Sequence, residues 1–452
     1  MSHADPALDR VRIYPAEAPL RGTLHAQASK NYLSRYMWTS ALAAGVSRLE
    51  PVVPSDDARA MLGCIQALGA RHLGGSLEDG WLEIEGFGSE PLPDRVLDAD
   101  NAGAVLRFIL SIAAVGGPYR FITRRMDSLG KRPNRDLLDA LAFWGVHVTE
   151  SGPGGTLPIA AGFNPHATTF GEVEVSGEIS SQYLSSLLMM APLVARRMGG
   201  AARIHVVGAL KSKPAVETTL DVLYRRGIDV HTDADLSYFA VQPGEYRAGA
   251  CRVNGDWPGA AAVLCAAACI PGSIVRIEGL EADSQGERRI IEVLRECGCR
   301  ITCAGSTVEL EAPDILEPIR NLDGDLMTDA IPPLMAVAAL AQGRSSVVNV
   351  ENLRFKECDR ISEPLEELAT LGVEAREHRD AFEIIGNPDG FDGGVTVDGR
   401  KDHRVIFLLT ICGLRAFRPI EILSASHIAK SYPGFFDDLR QLGARIEPIT
   451  TG

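Results

Sequence analysis

The chain has 452 residues, of which 46% are hydrophobic and 23% charged, and its net charge is −14. This length is too great for one ordinary core and predicts two domains in a soluble globular protein. The acidic balance argues against nucleic acid or an anionic membrane surface as a partner. An anionic small substrate remains open, because a cleft can be basic inside an acidic protein.

The sequence predicts neither a targeting segment nor a membrane span. The opening stretch "MSHADPALDR" lacks the basic and apolar regions of a signal peptide. Apolar runs such as "AAAVLCAAACIPG" are shorter than the roughly 18 residues that a span needs. The nine cysteines form no CxxC pair, which favours a reduced, cytoplasmic protein.

One pattern recurs along the chain: an amphipathic helix that ends in glycine and leads into a short strand. Glycine is favoured at such a position because it adopts the left-handed conformation of a helix C-cap without a Cβ penalty. The repeat length is roughly 75 residues, and the six glycines are Gly69, Gly145, Gly227, Gly298, Gly372 and Gly443.

A second helix, rich in small apolar residues, interleaves with the first in each unit. Its sequence is apolar nearly all round, which predicts burial. The six copies are "MWTSALAAG", "AVLRFILSIAAVGG", "YLSSLLMMAPLVA", "GAAAVLCAAAC", "IPPLMAVAALAQG" and "VIFLLTICGL". Six α/β modules in a chain of this length divide naturally into three plus three.

Each buried helix is preceded by a polar stretch that offers a capping residue or a helix-starting proline. These stretches are "SKNYLSR", "NAGAVLR", "EISSQ", "GDWPG", "TDAIPP" and "KDHR". Helix N-termini carry unpaired N–H groups and partial positive charge. If the six meet, they form an anion site that the added lysines and arginines reinforce. The alternative interpretation is that they are ordinary caps.

The segment "RFKECDR", residues 354–360, concentrates charge that would by itself be typical of a solvated helix face. Seven other motifs accompany it in order along the chain: "SDDARAML", "NAGAVLR", "GKRP", "ISSQYLSSLLMMAPL", "SKPAVETTL", "DHRVIFLL" and "SHIAKSYPGFF". Together, from about residue 12 to residue 447, they resemble the enolpyruvyl transferases, and most closely the EPSP synthase branch.

The resemblance implies an α/β fold: a two-domain inside-out α/β barrel with three βαβαββ-like repeats per domain. The N-termini of its six buried helices would point toward the interdomain cleft. The chain would cross between domains near Gln27 and Gly255. One domain is then continuous, residues 28–254, and the other combines residues 1–27 with 255–452.

The resemblance also implies the chemistry, which is transfer of the enolpyruvyl group of phosphoenolpyruvate to a hydroxyl of a phosphorylated acceptor, with release of phosphate and without metal or cofactor. The residues implied to bind phosphoenolpyruvate are Lys30, Asn101, Gly103, Arg132, Gln182, Arg360, Arg404 and Lys430. Those implied to bind the acceptor are Asn31, Arg35, Ser180, Ser181, Gln182, Ser212, Ala215, Asp329, Asn352 and Lys356, with Lys213 nearby. Asp329 would be the base on the acceptor hydroxyl, and Glu357 and Lys30 are the candidates for moving the methylene proton.

The chain departs from the family pattern at three positions, two at the acceptor's ring and one, Ala104, nearer the phosphoenolpyruvate. Asn31 stands where a serine helps to read the shikimate carboxylate, Ala215 replaces a tyrosine that packs on the shikimate ring, and Ala104 replaces a threonine. We therefore expect a larger acceptor, with the 3′-hydroxyl of UMP, as in nucleoside-antibiotic biosynthesis, as the first choice. Shikimate 3-phosphate is the alternative, and an inactive ligand-binding homologue is a remote one. The cell-wall branch acting on UDP-N-acetylglucosamine is disfavoured because "FITRRMDSLGKRPN" has no cysteine. A cytoplasmic monomer is expected.

Overall fold

A computed structural model of the chain describes residues 9–166 and 171–449. The chain divides into two compact units: a continuous unit, Ala28–Asn254, and a discontinuous unit that combines Met1–Gln27 with Gly255–Gly452. The first eight residues, on which the expectation of no signal peptide rests, lie outside the described residues.

Twelve α-helices occur in the described residues, and the odd-numbered ones are the apolar, buried helices of the sequence pattern. In chain order they are α1 (Lys30–Ala41), α2 (Asp56–Ala67), α3 (Gly103–Leu110), α4 (Arg135–Ala142), α5 (Ser181–Met198), α6 (Lys213–Arg225), α7 (Trp257–Cys269), α8 (Ile290–Glu296), α9 (Ile331–Leu340), α10 (Ser362–Thr370), α11 (His403–Leu414) and α12 (Phe435–Gln441).

The even-numbered helices end as predicted. Each is followed by one of the six glycines, and all six have positive φ, from +80° at Gly227 to +112° at Gly69. A residue with a Cβ is strained in that backbone conformation, so glycine defines where each of these helices stops.

The strands form six four-stranded sheets within the described residues. In chain order they are β1 (Arg10–Ile13), β2 (Arg21–His25), β3 (Ala44–Glu50), β4 (Arg71–Ser76), β5 (Trp81–Phe87), β6 (Arg95–Asp98), β7 (Tyr119–Ile122), β8 (Val146–Glu150), β9 (Ile159–Phe163), β10 (Val173–Ser176), β11 (Ala202–Val207), β12 (Val230–Thr232), β13 (Tyr238–Val241), β14 (Ala250–Arg252), β15 (Ile274–Glu278), β16 (Arg300–Ala304), β17 (Thr307–Glu311), β18 (Leu322–Asp323), β19 (Gly343–Val348), β20 (Glu374–Glu377), β21 (Ala381–Gly386), β22 (Thr396–Asp398), β23 (Ile420–Leu423) and β24 (Ile446–Pro448).

Each sheet has one parallel pair, joined to an antiparallel strand that pairs with a further one at the edge. The second sheet of the continuous unit illustrates the module: β6, α3, β7, α4, β8 and β9 follow one another, and the strand order is β6-β7-β9-β8. The parallel strands β6 and β7 flank the buried helix, as a crossover connection requires.

Two strands are exchanged where the chain passes between units. Strand β2 precedes α1 in the chain but pairs in parallel with β15, so that Leu24 lies opposite Ile277. Strand β14 precedes α7 but pairs in parallel with β3, where Cys251 lies opposite Leu49. Strand β1 lies between β23 and β24 and is antiparallel to both. Each unit therefore holds three complete modules.

The start of one buried helix differs from the sequence prediction. Helices α1, α5, α7 and α11 have side-chain caps from Ser29, Ser180, Asp256 and Asp402, and α9 has proline in its first turn. Helix α3 has neither, because it begins at Gly103 with Ala102 at the capping position. Asn101, the polar residue of "NAGAVLR", lies one residue too early to cap it.

The buried helices supply much of each unit's core. In the discontinuous unit α7, α9 and α11 pack against one another, and in the continuous unit α3 packs against α1 and α5. All nine cysteines are free thiols. Among the described residues, no helix combines the length and apolar character needed to cross a bilayer.

Candidate active site

The discontinuous unit contains a buried group of six charged side chains that we call the arginine–carboxylate cluster. Its members come from four separate parts of the sequence and are Asp329, Glu357, Arg360, Asp402, Arg404 and Lys430. Five of the six were expected to be site residues from the sequence, and Asp402 is the addition. The formal charges of these three carboxylates and three cations cancel.

Arg360 is the centre of the cluster. Its Nε and Nη2 donate to the two carboxylate oxygens of Asp402 at 2.7 and 3.1 Å. Nη2 also donates to Glu357 Oε2 at 2.8 Å, and Nη1 donates to Asp329 Oδ1 at 2.9 Å. Burial acts to lower the pKa of Arg360, but the three carboxylates outweigh it and raise that pKa. Such a fully engaged guanidinium is held in one orientation.

Arg404 and Lys430 close the cluster. Arg404 Nη2 donates to Asp329 Oδ2 at 2.9 Å, and Lys430 Nζ lies 3.0 Å from Glu357 Oε1. Two further buried donors of Arg404, Nε and Nη1, have no hydrogen-bond partner among the described residues. Donors of this kind are costly to bury unless an acceptor reaches them, so they point to an anionic ligand.

Exposure is graded across the cluster. The side chains of Asp402 and Arg360 are 0% and 2% exposed, whereas Glu357 is 10% and Asp329 20% exposed. The two carboxylates that were expected to handle protons are therefore the cluster's most accessible anions. Asp402, in contrast, is enclosed.

Local sequence explains how these side chains are placed. Asp402 caps α11 by accepting from Arg404 N–H at 2.8 Å, so one carboxylate both starts the helix and holds Arg360. Asp329 lies in a 3₁₀ helix, Gly324–Ala330, that runs into α9, slightly before the helix terminus predicted for it. Lys430 ends a second 3₁₀ helix, Ala425–Lys430. The "RFKECDR" segment is not a solvated helix face: its first two residues end the 3₁₀ helix Glu351–Phe355, and the others form an irregular, bent stretch before α10.

The continuous unit gathers a second set of expected site residues around the start of α3. A Cβ placed on Gly103 would lie 2.6 Å from Arg107 Nη1, 2.8 Å from Arg132 Nη1 and 3.8 Å from Gln182 Oε1. The structure thus brings Gly103, Arg132 and Gln182 together beside the buried residue Asn101. A glycine here leaves the helix N-terminus open to a close ligand.

Lys30 is the first residue of α1, and its side chain is largely buried. Its Nζ lies 3.5 Å from Asp57 Oδ2, and Asp57 belongs to the first turn of α2, where an anion is favoured. A buried lysine needs such a counter-charge. Asp57 was not expected as a site residue, although it stands in the motif "SDDARAML".

Arg35 is buried and donates hydrogen bonds to one hydroxyl and two main-chain carbonyls. Its Nε donates to Thr219 Oγ1 at 2.8 Å, Nη1 to the Asn31 carbonyl at 2.9 Å and Nη2 to the Ala215 carbonyl at 2.9 Å. The guanidinium also lies 5.1 Å from the centre of the Phe108 ring. Burial lowers the pKa of Arg35 to about 10. Arg35 therefore ties α1 to α6 and connects two of the positions at which this chain departs from the family.

Three serines among the residues expected to bind the acceptor stand at helix starts in the continuous unit. Ser180 caps α5 by accepting from Gln182 N–H at 3.3 Å, and Ser181 opens that helix. Ser212, at the start of α6, has the left-handed conformation with φ +53°, which is unusual for a residue with a Cβ. Helix starts and hydroxyls suit a phosphate.

Other expected residues lie in the discontinuous unit. Asn352 Nδ2 donates to Asp325 Oδ1 at 2.8 Å in the interior. Lys356 is half-buried in the turn that carries Glu357. In the continuous unit Asn31, Ala104, Ala215 and Lys213 are all half-buried. The described residues contain no group of three or more metal-ligating side chains arranged to hold an ion.

The residues missed from the sequence are partners of those expected. Asp57 pairs with Lys30, Asp402 with Arg360, and Arg107 donates to the Gly103 carbonyl at 3.2 Å. Asp402 and Arg107 both stand in quoted motifs at the start of a buried helix. Position in a motif was therefore the one signal that could have identified them.

Comparison with known proteins identifies the family of the chain. A model of the EPSP synthase (3-phosphoshikimate 1-carboxyvinyltransferase) family matches residues 15–439. The chain is 43% identical to the 3-phosphoshikimate 1-carboxyvinyltransferase of Deinococcus radiodurans, with 99% of both chains covered. It is 33% identical to that of Methanothrix thermoacetophila, over 96% of this chain and 99% of the relative.

Two solved structures share the fold at lower identity. EPSP synthase from Acinetobacter baumannii has a TM-score of 0.78 and 22% identity, over 97% of this chain and 99% of its own. The enolpyruvyl transferase NikO from Streptomyces tendae has a TM-score of 0.71 and 17% identity, over 97% of this chain and 98% of its own. The family match and the full-length relatives lead to one conclusion: the chain belongs to the EPSP synthase family and is an enolpyruvyl transferase.

Proposed function

We propose that the protein is an EPSP synthase that transfers the enolpyruvyl group of phosphoenolpyruvate to the hydroxyl of shikimate 3-phosphate. The observation that carries the proposal is a 43% identity spread over 99% of this chain and of a relative named for that reaction. This revises the first choice made from the sequence, UMP, because an identity of that extent outweighs substitutions at Asn31, Ala104 and Ala215. No comparison supports a role in antibiotic biosynthesis.

The arginine–carboxylate cluster supports a role in binding phosphoenolpyruvate. The substrate's carboxylate and phosphate would compete with Asp329 and Glu357 for the donors of Arg360, Arg404 and Lys430. The two open donors of Arg404 offer further bonds that are gained without breaking existing ones. We propose that Lys30, Gly103, Arg132 and Gln182 supply the remainder.

We propose that Asp329 handles the proton of the acceptor hydroxyl and that Glu357 or Lys30 handles the proton of the methylene carbon. Asp329 takes the acceptor's hydroxyl proton as oxygen bonds to C2 of phosphoenolpyruvate, while C3 gains a proton from Glu357 or Lys30. The bond from C2 to the phosphate oxygen then breaks, phosphate leaves, and C3 returns its proton. Binding of the anion frees Asp329 from its arginine partners at the moment when it is needed as a base.

The acceptor phosphate is assigned to the serines at the starts of α5 and α6. Ser180, Ser181 and Ser212 offer hydroxyls, and two helix N-termini offer backbone N–H groups. We further propose the family architecture of an inside-out α/β barrel for each unit, with the buried helices directed at a shared cleft. A cytoplasmic monomer remains our expectation.

The test is phosphate release from phosphoenolpyruvate with shikimate 3-phosphate and UMP as parallel acceptors. We expect turnover with shikimate 3-phosphate and little or none with UMP. Asp329→Asn protein, prepared identically, is the control for contaminating activity. Faster turnover with UMP than with shikimate 3-phosphate would contradict the proposed acceptor.

A further inference from the structure

A buried carboxyl group that is outside the arginine–carboxylate cluster touches its most exposed member. Glu287 lies in a short 3₁₀ helix, Gly286–Arg289, in the discontinuous unit, and its side chain is enclosed by protein. Glu287 Oε1 accepts a hydrogen bond from the backbone N–H of Asp329 at 3.1 Å. Neither the family motifs quoted above nor the mechanism assigns Glu287 a task.

This hydrogen bond holds the main chain of Asp329, whereas the group proposed to act on substrate is its side-chain carboxylate. Arg360 and Arg404 hold the Asp329 carboxylate, but anionic substrate competes for both arginines. The hydrogen bond to Glu287 uses the Asp329 main chain and does not depend on those donors. The backbone of Asp329 therefore remains held when its side chain is released.

Charge makes this contact unusual. The cluster is already neutral, with three carboxylates and three cations, so an ionised Glu287 would be a surplus negative charge beside Asp329. Burial, which is the largest cause, and the Asp329 carboxylate together raise the pKa of Glu287 to about 7, although backbone hydrogen bonds and the Arg404 guanidinium act to lower it. Glu287 therefore takes up a proton close to neutral pH.

Arg404 is the cation that lowers the pKa of Glu287. The elements packed against it are α7, α8 and the 3₁₀ helix Gly324–Ala330. Their titratable groups are Asp256 at the cap of α7, Cys265, Cys269, Asp325, Asp329 and the solvent-exposed Glu292, Arg295 and Glu296. The neighbouring residues Arg288 and Arg289 are also exposed.

We propose that Glu287 is a positioning residue for the general base: its carboxyl group holds the Asp329 main chain so that the Asp329 carboxylate stays aimed at the acceptor hydroxyl when substrate displaces the arginines. This inference rests on the proposed function for the role of Asp329. A misplacement of about 1 Å in a reacting group can cost about a hundredfold in rate, so a single main-chain bond is able to matter.

Two substitutions separate the hydrogen bond from the charge. Glu287→Gln keeps an oxygen acceptor for Asp329 N–H but removes the ionisable group, whereas Glu287→Leu removes both. We expect Glu287→Leu to lower kcat by about tenfold or more with KM for phosphoenolpyruvate within about threefold of wild type. Glu287→Gln should keep kcat within about threefold.

Glu367→Gln is the matched control. Glu367 is also buried, and its Oε2 also accepts from a backbone N–H, that of Asp398 at 3.0 Å, but Asp398 lies outside the cluster. Its kcat should remain within about threefold of wild type. If Glu287→Leu does not fold, Glu287→Asp replaces it, because a side chain one methylene shorter draws the acceptor away from Asp329.

Hydrogen exchange at the Asp329 amide, measured without substrates, keeps this inference distinct from the proposed function. We expect slow exchange in wild type and Glu287→Gln, and faster exchange in Glu287→Leu. Absence of turnover with shikimate 3-phosphate would overturn the proposed acceptor and leave this measurement intact. Unchanged exchange, or equal loss of kcat in the Gln and Leu variants, would overturn the positioning role.

The dependence of stability on pH tests the charge of Glu287. The pKa of Glu287 is about 7 in the folded protein and about 4.3 in the unfolded chain. Between these two pH values the folded protein keeps a proton that the unfolded chain has lost. The free energy of unfolding of wild type therefore decreases as pH rises through this range. Glu287→Gln lacks this loss. The unfolding midpoint of Glu287→Gln relative to wild type should therefore rise between pH 5 and about 7 and then level off. If the difference between the two unfolding midpoints did not change with pH, Glu287 would not be a group that titrates near neutral pH.

Discussion

Asp329 is bonded by arginine at both carboxylate oxygens and yet remains the most exposed member of the cluster. A carboxylate held in this way is a poor acceptor for a further proton donor. An anion that takes over the donors of Arg360 and Arg404 releases it. In this view substrate binding and activation of the base are one electrostatic exchange.

Asp329→Asn tests that view. The amide keeps the shape of the side chain but cannot take the acceptor proton, so we expect turnover to fall by about a hundredfold or more. Phosphoenolpyruvate binding, measured by calorimetry, should persist, because the arginine donors are then less occupied. Glu383→Gln, which removes a surface carboxylate paired with Arg344, is the control and should retain activity. Near wild-type turnover in Asp329→Asn would remove Asp329 as the base.

Glu357 bridges two cations, since Arg360 Nη2 and Lys430 Nζ each contact one of its oxygens. If Glu357 delivers the methylene proton, Glu357→Gln should slow exchange of solvent deuterium into C3 of phosphoenolpyruvate by about a hundredfold. NMR of recovered substrate measures this exchange. Glu363→Gln, six residues along the chain, is the control. Unchanged exchange in Glu357→Gln would assign the proton to Lys30.

Substitution of Gly103 by alanine tests whether the start of α3 binds phosphoenolpyruvate. In Gly103→Ala the new Cβ would meet Arg107 Nη1 and Arg132 Nη1 at 2.6 and 2.8 Å, so both guanidinium groups must move. We expect KM for phosphoenolpyruvate to rise by about tenfold with little change in stability, since only the flexible ends of side chains are displaced. In Gly63→Ala, by contrast, the Cβ meets nothing within 4 Å, and kinetics should not change. Equal KM values for the two variants would contradict the crowding at Gly103.

The sequence carried the charged residues of the site but not their pairing. Arg360, Glu357 and Asp329 were expected to contact or act on the substrates. In the structure Arg360 forms ion pairs with both carboxylates. Ion pairs such as Lys30 with Asp57 link residues that lie far apart in the chain, so neither local propensity nor spacing predicts them. Arg35 shows the same limit, because its burial depends on helices that only the fold brings together.

At the level of secondary structure, helix ends were the most predictable features and helix starts less so. Gly69 and its five equivalents end their helices because a positive φ has few alternatives to glycine. A helix can begin with any of several capping residues or with a proline, and α3 begins with none of those that were expected. A ligand anion at Gly103 would supply what a capping side chain supplies elsewhere.

Asp402 lets the contribution of a cap be distinguished from that of an ion pair. Asp402→Asn retains a good capping side chain for α11 but removes the negative charge that faces the buried Arg360. We expect the free energy of unfolding to fall by about 3–5 kcal/mol, because the buried cluster is left with one uncompensated positive charge, although Glu357 and Asp329 still bond Arg360. Ser55→Ala, which removes only the cap of α2, should cost about 1 kcal/mol. Urea unfolding of both variants measures the difference, and similar losses would contradict the distinction.

At the level of the whole molecule, the two units carry separate halves of the expected site. Lys30, Gly103 and Arg132 belong to the continuous unit, and Arg360, Arg404 and Lys430 belong to the other. Under the proposed function both sets contact the same substrate, as in enzymes whose domains close on their ligands.

We therefore expect the protein to become more compact when phosphoenolpyruvate and shikimate 3-phosphate are both bound. Mutual repulsion of cations within an empty site is not required for this, since the cluster in the discontinuous unit is neutral by itself. Small-angle scattering with saturating ligands is the measurement, and each ligand alone is the control. An unchanged radius of gyration with both bound would contradict closure.

Because strands β2 and β14 pair outside their own stretch of sequence, the two units can complete their folding only in a certain order as the chain leaves the ribosome. The continuous unit contains every strand of its three sheets, so it can finish folding once β14 has emerged. Strands β1 and β2 precede the continuous unit in the chain, but their partners, such as β15 and β23, lie more than 200 residues later. A fragment that begins at Gly255 would lack the inner strand β1 of one sheet and the edge strand β2 of another. Strands that lie N-terminal to the continuous unit thus complete sheets whose other strands all lie C-terminal to it.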